Sequence, residues 1–419
     1  EMGKIANNLC NKIYLTDDNP RGEDPKIIRS QIKTYIKKEK LIEISSREKA
    51  IKAGINNLKS GDILIVAGKG HETFQEYKKK KNFSDKIIIK KYIKNKNLSL
   101  SNSWKINILN ESLRISKINN YQNINSASIN SKEIKKNQIF FGLKGKKIDG
   151  SIFAQDSLNN KAVVAIVNKT DIKNPRIMRV NNSLEFFSII SKKIRQVSNI
   201  KAIAVTGSAG KTSFKNLLNH CLSQITSTTC SKNSFNNKFG VPLSMFNANQ
   251  SSNFSVLEVG MDKKGEIDYL SKIIKPDIGV ITNISYAHAK NFRNLFDIAK
   301  AKSEIISNIR KNGTIVLNRD NKFFNYFSKL AKKKNLHVIS FGKDKNSNIR
   351  IFKIKRFNNS SIIYINADSK IYNFKIKDNL LPYADNILAS IAVCKSLNII
   401  DKLNINFFSN YKIPSGRGN

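Results

Sequence analysis

The sequence predicts an α/β protein made of several α/β domains, the central one a doubly wound, mostly parallel sheet carrying a glycine-rich phosphate loop. Three observations lead there. From residue 201 onward, short apolar runs of strand length alternate with helical stretches, the pattern of repeated βαβ units. The run KAIAV (201–205) leads directly into Thr206-Gly207-Ser208-Ala209-Gly210-Lys211-Thr212, after which a helix begins. The chain has 419 residues, 40% of them hydrophobic, enough for two to four domains with a sizeable buried core.

Taken in order, residues 13–16, 63–67 and 86–89 read as strands and 46–58 as a helix. The lysine run at 78–81 reads as a solvated face. Residues 94–103, rich in Lys, Asn and Ser, read as a linker. A second small α/β unit follows, with strands near 139–142 and 162–167. The central pattern then continues through apolar runs at 254–259, 278–283 and 314–318. These readings divide the chain into 1–98, a linker at 99–103, 104–199, 200–413, and a turn-like tail at 414–419. The sequence opens with Glu in what reads as the middle of a helix, so it is expected to be cut from a longer chain.

Composition narrows the function classes. Cys10, Cys221, Cys230 and Cys394 are widely spaced and form no CxxC pair, which argues against a disulfide framework or zinc site and suits a reducing cytoplasm. No apolar run approaches the roughly 20 residues of a membrane span, and no signal-peptide core is present. The formal charge of +43 could mark a nucleic acid or anionic surface as partner. The lysines are instead spread evenly and are not interleaved with aromatics as a stacking platform would be. Drift towards Lys, Asn and Ile is the favoured explanation, so neither nucleic acid nor membrane is expected as partner.

The loop at 206–212 supplies the chemistry. Its glycines allow backbone N–H groups to turn towards one anion, and the helix N-terminus adds its dipole. Lys211 can reach β- and γ-phosphates, and the Thr212 hydroxyl can hold Mg²⁺. Glu258 lies near the end of one predicted strand, Asn283 ends the next, and His288 follows in the loop. Ligands of open α/β sheets bind beyond the carboxyl ends of strands, so Thr212, Glu258 and His288 can converge on one metal–phosphate site.

These residues resemble the Mur ligase family. The resemblance rests on TGSAGKTS (206–213), SFNNKFGVPLS (234–244), LEVGMDKKGEIDYLSKIIKPDIGVITNI (257–284), AH (287–288), AKSEI (301–305) and NSKEIKKNQIFFGLKGKKIDG (130–150). From about residue 104 to the end it points to the branch that joins D-alanyl-D-alanine to UDP-N-acetylmuramoyl-tripeptide, using ATP and two Mg²⁺ ions. The resemblance implies a carbamylated lysine at Lys302, which with His288 helps hold the second metal, while Thr212 and Glu258 hold the first. It places Thr206, Gly207, Ser208, Ala209, Gly210, Lys211, Thr212, Ser213 and Asn283 around the nucleotide. Asn386 falls on the adenine side and Arg417 at a hinge. Ser131 and Lys144 fall at the UDP part. Catalytic roles fall to Lys211, Lys302 and His288.

Residues 1–98 resemble a different member's terminal domain through TDDNPRGEDP (16–25), REKAI (47–51) and GDILIVAGKGHETFQ (61–75). There the resemblance implies a diaminopimelate-binding set of Asp18, Asn19, Arg21, Gly68 and Glu72. Arg21 would fork onto a carboxylate. The whole reads as a slice through a fusion of two successive ligases, with 414–419 the start of a truncated C-terminal domain and neither set of domains complete, so the slice alone is expected to be inactive. Departures from the family pattern are Asn130-Ser131-Lys132 in place of Asp-Ser-Arg, Pro382 in place of a histidine, and Ser46 in place of an aspartate. A sibling ligase for folate-like substrates and a non-catalytic basic scaffold remain the alternatives.

Overall fold

The structure is a computed structural model. It describes the chain except residues 59–61, 70–71, 114–123, 125, 250, 287–290 and 415–419, and only the backbone along 94–104. It forms two compact units, Glu1–Asn102 and Ser103–Asn419.

The first unit holds α1 (Met2–Leu9), β1 (Ile13–Leu15), α2 (Pro25–Lys33), β2 (Leu41–Glu43), α3 (Arg47–Asn57), β3 (Phe74–Glu76) and β4 (Lys80–Asn82). Strands β1 and β2 pair parallel, and β3 and β4 form an antiparallel hairpin. Asp24 caps α2, with Pro25 opening the helix, and Ser46 caps α3, as their short oxygen-bearing side chains favour.

Helix α4 runs from Asp85 to Leu113 and corrects one sequence reading. Residues 86–89 are helical rather than a strand, and the polar stretch 99–103 lies within the helix. A run of three isoleucines is too short to separate the two periods. No Gly or Pro interrupts 85–113, and polar composition alone does not end a helix. The expected strand at 63–67 also pairs with no neighbour among the described residues. Its residues alternate instead, Ile63 and Ile65 exposed while Leu64 meets Gly54.

The second unit continues with β5 (Ser126–Ser128), β6 (Gln138–Gly142), α5 (Ala154–Asn159), β7 (Val164–Val167), β8 (Ile177–Arg179) and α6 (Ser183–Val197). Its four strands form a parallel sheet in the order β5-β6-β7-β8. Then come β9 (Lys201–Thr206), α7 (Lys211–Ile225), β10 (Thr228–Cys230), α8 (Gly240–Asn247), β11 (Phe254–Glu258), α9 (Glu266–Ile274), β12 (Ile278–Ile281) and α10 (Leu295–Asn308). The last elements are β13 (Thr314–Asn318), α11 (Phe324–Lys333), β14 (His337–Phe341), β15 (Ile349–Phe357), β16 (Ser360–Ala367), β17 (Lys370–Lys377) and α12 (Ala384–Ser396).

Strands β9 to β17 form one sheet in the order β10-β11-β9-β12-β13-β14-β15-β16-β17. It is parallel from β10 to β15 and antiparallel beyond. The sheet is doubly wound because β9 serves both faces. Ile203 and Val205 pack with Phe214, Leu218 and Ile391 of α7 and α12. Ala202 and Ala204 pack on the other side with residues of α8, α9, α10 and α11. Such strands are buried on both sides, which is why they read as continuous apolar runs. The smaller sheet joins the larger through Phe141, Phe187 and Phe246, the first two rings stacked at 4.1 Å.

Candidate active site

The loop between β9 and α7 is built on the end of β12. Ser208 N donates to Asn283 O at 3.0 Å, and Ala209 N to Asn283 Oδ1 at 2.9 Å. Thr282 Oγ1 donates to Ala209 O at 2.9 Å, and Ser208 Oγ to Ser285 O at 2.9 Å. Two glycines are required by this geometry. A Cβ on Gly207 would lie 1.9 Å from Thr282 Oγ1, and Gly210 has φ 78°, a left-handed conformation that side chains resist. Thr206 ends β9 with its hydroxyl buried and unpartnered among the described residues.

A helix leaves its first N–H groups without intrahelical partners. In α7 these open beside Lys211, Thr212 and Ser213, under the positive end of the helix dipole. Lys211 Nζ donates to Gly207 O at 2.8 Å and Ser208 O at 3.4 Å, which holds the ammonium over the loop. The Thr212 hydroxyl donates to Glu258 Oε2 at 2.8 Å. Glu258, the last residue of β11 and 1% exposed, accepts at Oε1 from Asn236 Nδ2 at 2.8 Å. Lys215 Nζ stands 3.9 Å from Oε2.

Lys302 faces inward from α10 and is 1% exposed. Burial, and secondarily the charge of Lys211, push its ammonium down to about 7. Its side chain makes no hydrogen bond or ion pair among the described residues, so nothing offsets that burial. Asn386 faces the loop from the first turn of α12, its Oδ1 3.6 Å from where a Gly210 Cβ would stand. His288 and Arg417 lie outside the described residues.

The sequence reading missed Asn236, Thr282 and Lys215. Asn236 sits in the quoted SFNNK segment, yet its partner lies 22 positions away and no spacing rule links them. Lys215 carried a legible signal. It shares a face with Leu218 and Leu222 at helical spacing, a lysine where an apolar side chain is expected.

Ser131 opens a short 3₁₀ turn capped by Asn130 and is 8% exposed. Lys144 is exposed, and its main chain forms an isolated antiparallel β-bridge with that of Asp149. No described hydrogen bond or ion pair joins either to the glycine loop.

In the first unit the other set partly converges. Asn19 Nδ2 donates to Glu72 Oε2 at 2.7 Å. Lys69 Nζ donates to Asn19 Oδ1 at 2.7 Å and to Glu72 Oε2 at 3.3 Å. It also pairs with Asp18 at 3.5 Å. A Cβ on Gly68 would stand 2.7 Å from Asp18 Oδ2. Arg21 is exposed at a left-handed φ of 54°. Lys69, 2% exposed, is the hub the sequence reading left out. Beneath it Arg47 holds Asp85 through two nitrogens, at 2.8 and 2.6 Å.

No group of three or more His, Cys, Asp or Glu able to hold a metal occurs among the described residues. A divalent cation here would rely on Thr212 and Glu258 plus phosphate oxygens and water. That hard-oxygen set is the one Mg²⁺ prefers, and the 2.8 Å approach of the two side chains fits one shared cation.

A glycine loop ahead of a helix, a carboxylate at the end of the neighbouring strand and a buried lysine make an α/β core suited to receive a nucleotide's phosphates. The chain belongs to the Mur ligase family. The Mur ligase middle domain matches residues 205–394, and the "Mur ligase, glutamate ligase domain" matches residues 1–70. The chain is 30% identical over 318 residues to the UDP-N-acetylmuramoyl-tripeptide--D-alanyl-D-alanine ligase of Rickettsia prowazekii, covering 75% of this chain and 70% of that one. A 94-residue match, 54% identical, joins it to the UDP-N-acetylmuramoyl-L-alanyl-D-glutamate--2,6-diaminopimelate ligase of Rickettsia rickettsii, covering 22% of this chain and 20% of that ligase. The MurF ligase of Thermotoga maritima, solved in complex with ADP, superposes with a TM-score of 0.62 at 26% identity, covering 70% of this chain and 67% of that one. The chain spans 62% and 51% of the length of two Buchnera aphidicola relatives.

Proposed function

We propose that the protein is an ATP-dependent ligase that joins D-alanyl-D-alanine to UDP-N-acetylmuramoyl-tripeptide through an acyl phosphate. The observation that carries this reading is the Thr212–Glu258 pair at the mouth of the loop, with buried Lys302 within the field of Lys211.

The tripeptide carboxylate attacks the γ-phosphorus of ATP, the bond to the β-phosphate oxygen breaks, and ADP leaves. The amine of D-alanyl-D-alanine then adds to the acyl phosphate, loses a proton and expels phosphate. The protein's part is to hold these groups in line and to oppose the charge that develops. Lys211 moves from the loop carbonyls onto the β- and γ-phosphates, and the first turn of α7 donates its N–H groups to them. Asn283 fixes the loop's shape, and Asn386 is assigned to the adenine side. Two Mg²⁺ ions would neutralise the transferring phosphoryl group. Thr212 and Glu258 would hold the first, and His288 with Lys302 the second. With its ammonium lowered to about 7, Lys302 has a neutral fraction near pH 7 whose nitrogen can add to carbon dioxide with loss of one proton to solvent, and the resulting carbamate would be an anionic oxygen ligand.

Ser131 and Lys144 are assigned to the uridine nucleotide, and Arg417 to the nucleotide from beyond residue 413. In the first unit, Asp18, Asn19, Arg21, Gly68 and Glu72 are assigned to the two ends of a diaminopimelate, with Lys69 orienting Glu72. This makes the chain parts of two successive ligases in one polypeptide, with residues 1–98 from one and 104–419 from the other. Among the described residues no helix is long and apolar enough to cross a membrane. A cytoplasmic location fits four free cysteines.

The test is mass-spectrometric detection of the UDP-linked pentapeptide after incubation with ATP, Mg²⁺ and both substrates. Product should form with the protein in its full natural length and vanish when that protein carries Lys211→Ala. Undiminished product from that variant would overturn the reading.

A further inference from the structure

Helix α7 carries a second lysine one turn beyond Lys211. Lys215 is 1% exposed and lies on the face that also buries Leu218 and Leu222. A buried ammonium is costly unless its donors are satisfied. Lys215 Nζ donates to the main-chain oxygens of Ser231 at 2.7 Å and Asn233 at 2.5 Å. Both belong to the segment leaving β10, which turns at Asn233 with φ 43°. The same segment carries Asn236, whose amide holds Glu258 Oε1, and Ser231, whose hydroxyl accepts from Glu258 N at 3.2 Å. Gly260 N in turn donates to Asn236 O at 2.8 Å, and a Cβ on Gly260 would collide with the Asn236 side chain. One ammonium thus ties down the segment that grips Glu258, while its charge stands 3.9 Å from the other carboxylate oxygen.

We infer that Lys215 is a positioning residue for the cation site. By clamping the 231–236 segment it fixes Asn236 against Oε1 of Glu258 and leaves Oε2 aimed at Thr212, where a nucleotide-bound divalent cation is held. The inference rests on the assignment of Thr212 and Glu258 to that cation in the proposed function. Phosphate capture by the loop backbone and Lys211 does not pass through this clamp. Lys215 therefore governs the part of nucleotide affinity that depends on the metal, and not the rest.

The experiment is calorimetric titration of this chain with a non-hydrolysable ATP analogue, in Mg²⁺ or in EDTA. The proteins are wild type, Lys215→Met, Asn236→Ala, Glu258→Gln and the Lys215→Met/Glu258→Gln pair. The wild type should bind more tightly with Mg²⁺. Lys215→Met should lose about ten-fold or more of that gain, the loss of a charge-assisted contact, while affinity in EDTA stays within about two-fold. In the Glu258→Gln background the same change should add nothing further to the Mg²⁺ term. Asn236→Ala keeps the lysine's hydrogen bonds and cuts only the link to Glu258, so it should repeat the Mg²⁺-selective loss even where Lys215→Met does not fold. Equal losses with and without Mg²⁺, a retained Mg²⁺ gain in Asn236→Ala, or additivity with Glu258→Gln would overturn the inference. A wild-type protein with no Mg²⁺ gain would overturn the proposed function itself, and this inference with it.

Discussion

Replacing Lys302 by Met should make the protein more stable near neutral pH, and the gain should shrink as pH rises. The side chain is 1% exposed, and burial together with Lys211 brings its ammonium from 10.5 down to about 7. The folded-state value lies below the unfolded one, so between these limits the unfolded chain holds more protons than the folded one. Wild-type stability therefore rises with pH across this window and is lowest beneath it. With about 1.4 kcal/mol per unit, the lysine costs the fold roughly 4 kcal/mol at pH 7 and roughly 2 kcal/mol at pH 9. Methionine has similar volume and no charge, so the variant avoids this cost at both pH values. Urea denaturation of both proteins at pH 7 and 9, in bicarbonate-free buffer, measures the difference. The variant's advantage should fall by about 2 kcal/mol between the two pH values. An advantage that does not change with pH, or a variant less stable at pH 7, would refute a lysine held near neutrality by burial.

Four further outcomes follow from the same geometry. Glu258→Gln should weaken nucleotide binding in Mg²⁺ by about ten-fold or more and leave binding in EDTA nearly unchanged, measured by calorimetry. Gly207→Ala should abolish nucleotide binding, because its Cβ would meet Thr282 Oγ1 at 1.9 Å. Adding Thr282→Ala leaves the nearest Thr282 atom at 3.2 Å and should restore part of it. Arg195, 1% exposed, donates to the main chain at residues 198, 200, 274 and 275 and pairs with Asp277 at 2.6 Å. Arg195→Met should cost about 1–3 kcal/mol in urea unfolding, since it leaves those main-chain acceptors unsatisfied while Asp277 keeps Arg310 at 3.2 Å and Ala202 N at 2.7 Å. Lys211→Met should shift the Lys302 titration upward, because it removes one of the two effects that depress it. Amine-specific labelling of Lys302 across pH reads that shift.

The glycine loop was legible because its shape is set locally. Strand, glycines, Lys211 and Thr212 are contiguous, and the turn they specify needs no distant partner. Glu258 was legible by position, since strand ends in a parallel sheet share one edge. What the sequence withheld depends on pairing across the fold. Asn236 and Lys215 matter only through Glu258, Ser231 and Asn233, and those contacts exist once β10, β11 and α7 are packed. Lys69 gains its role in the same way, from a helix-free loop that returns to Asn19 and Asp18. Residues 86–89 were misread as a strand for a different reason, and the expected linker at 99–103 is helical. Short isoleucine runs and polar stretches carry weak local preference, and the 29-residue helix α4 overrides both. The hairpins of β15, β16 and β17 hide behind lysine and arginine on their exposed faces, although Asn359, Asp368 and Ser369 mark the two turns with left-handed φ.

The central claim is that this loop, carboxylate and buried lysine drive phosphoryl transfer to a peptide carboxylate. Phosphate release from ATP by the protein in its full natural length, followed with UDP-N-acetylmuramoyl-tripeptide present and D-alanyl-D-alanine added or withheld, tests it most directly. The account predicts sustained release only when both are supplied, with one pentapeptide formed per phosphate. Release that ignores either substrate, or tight ATP binding with no release when both are present, would contradict it.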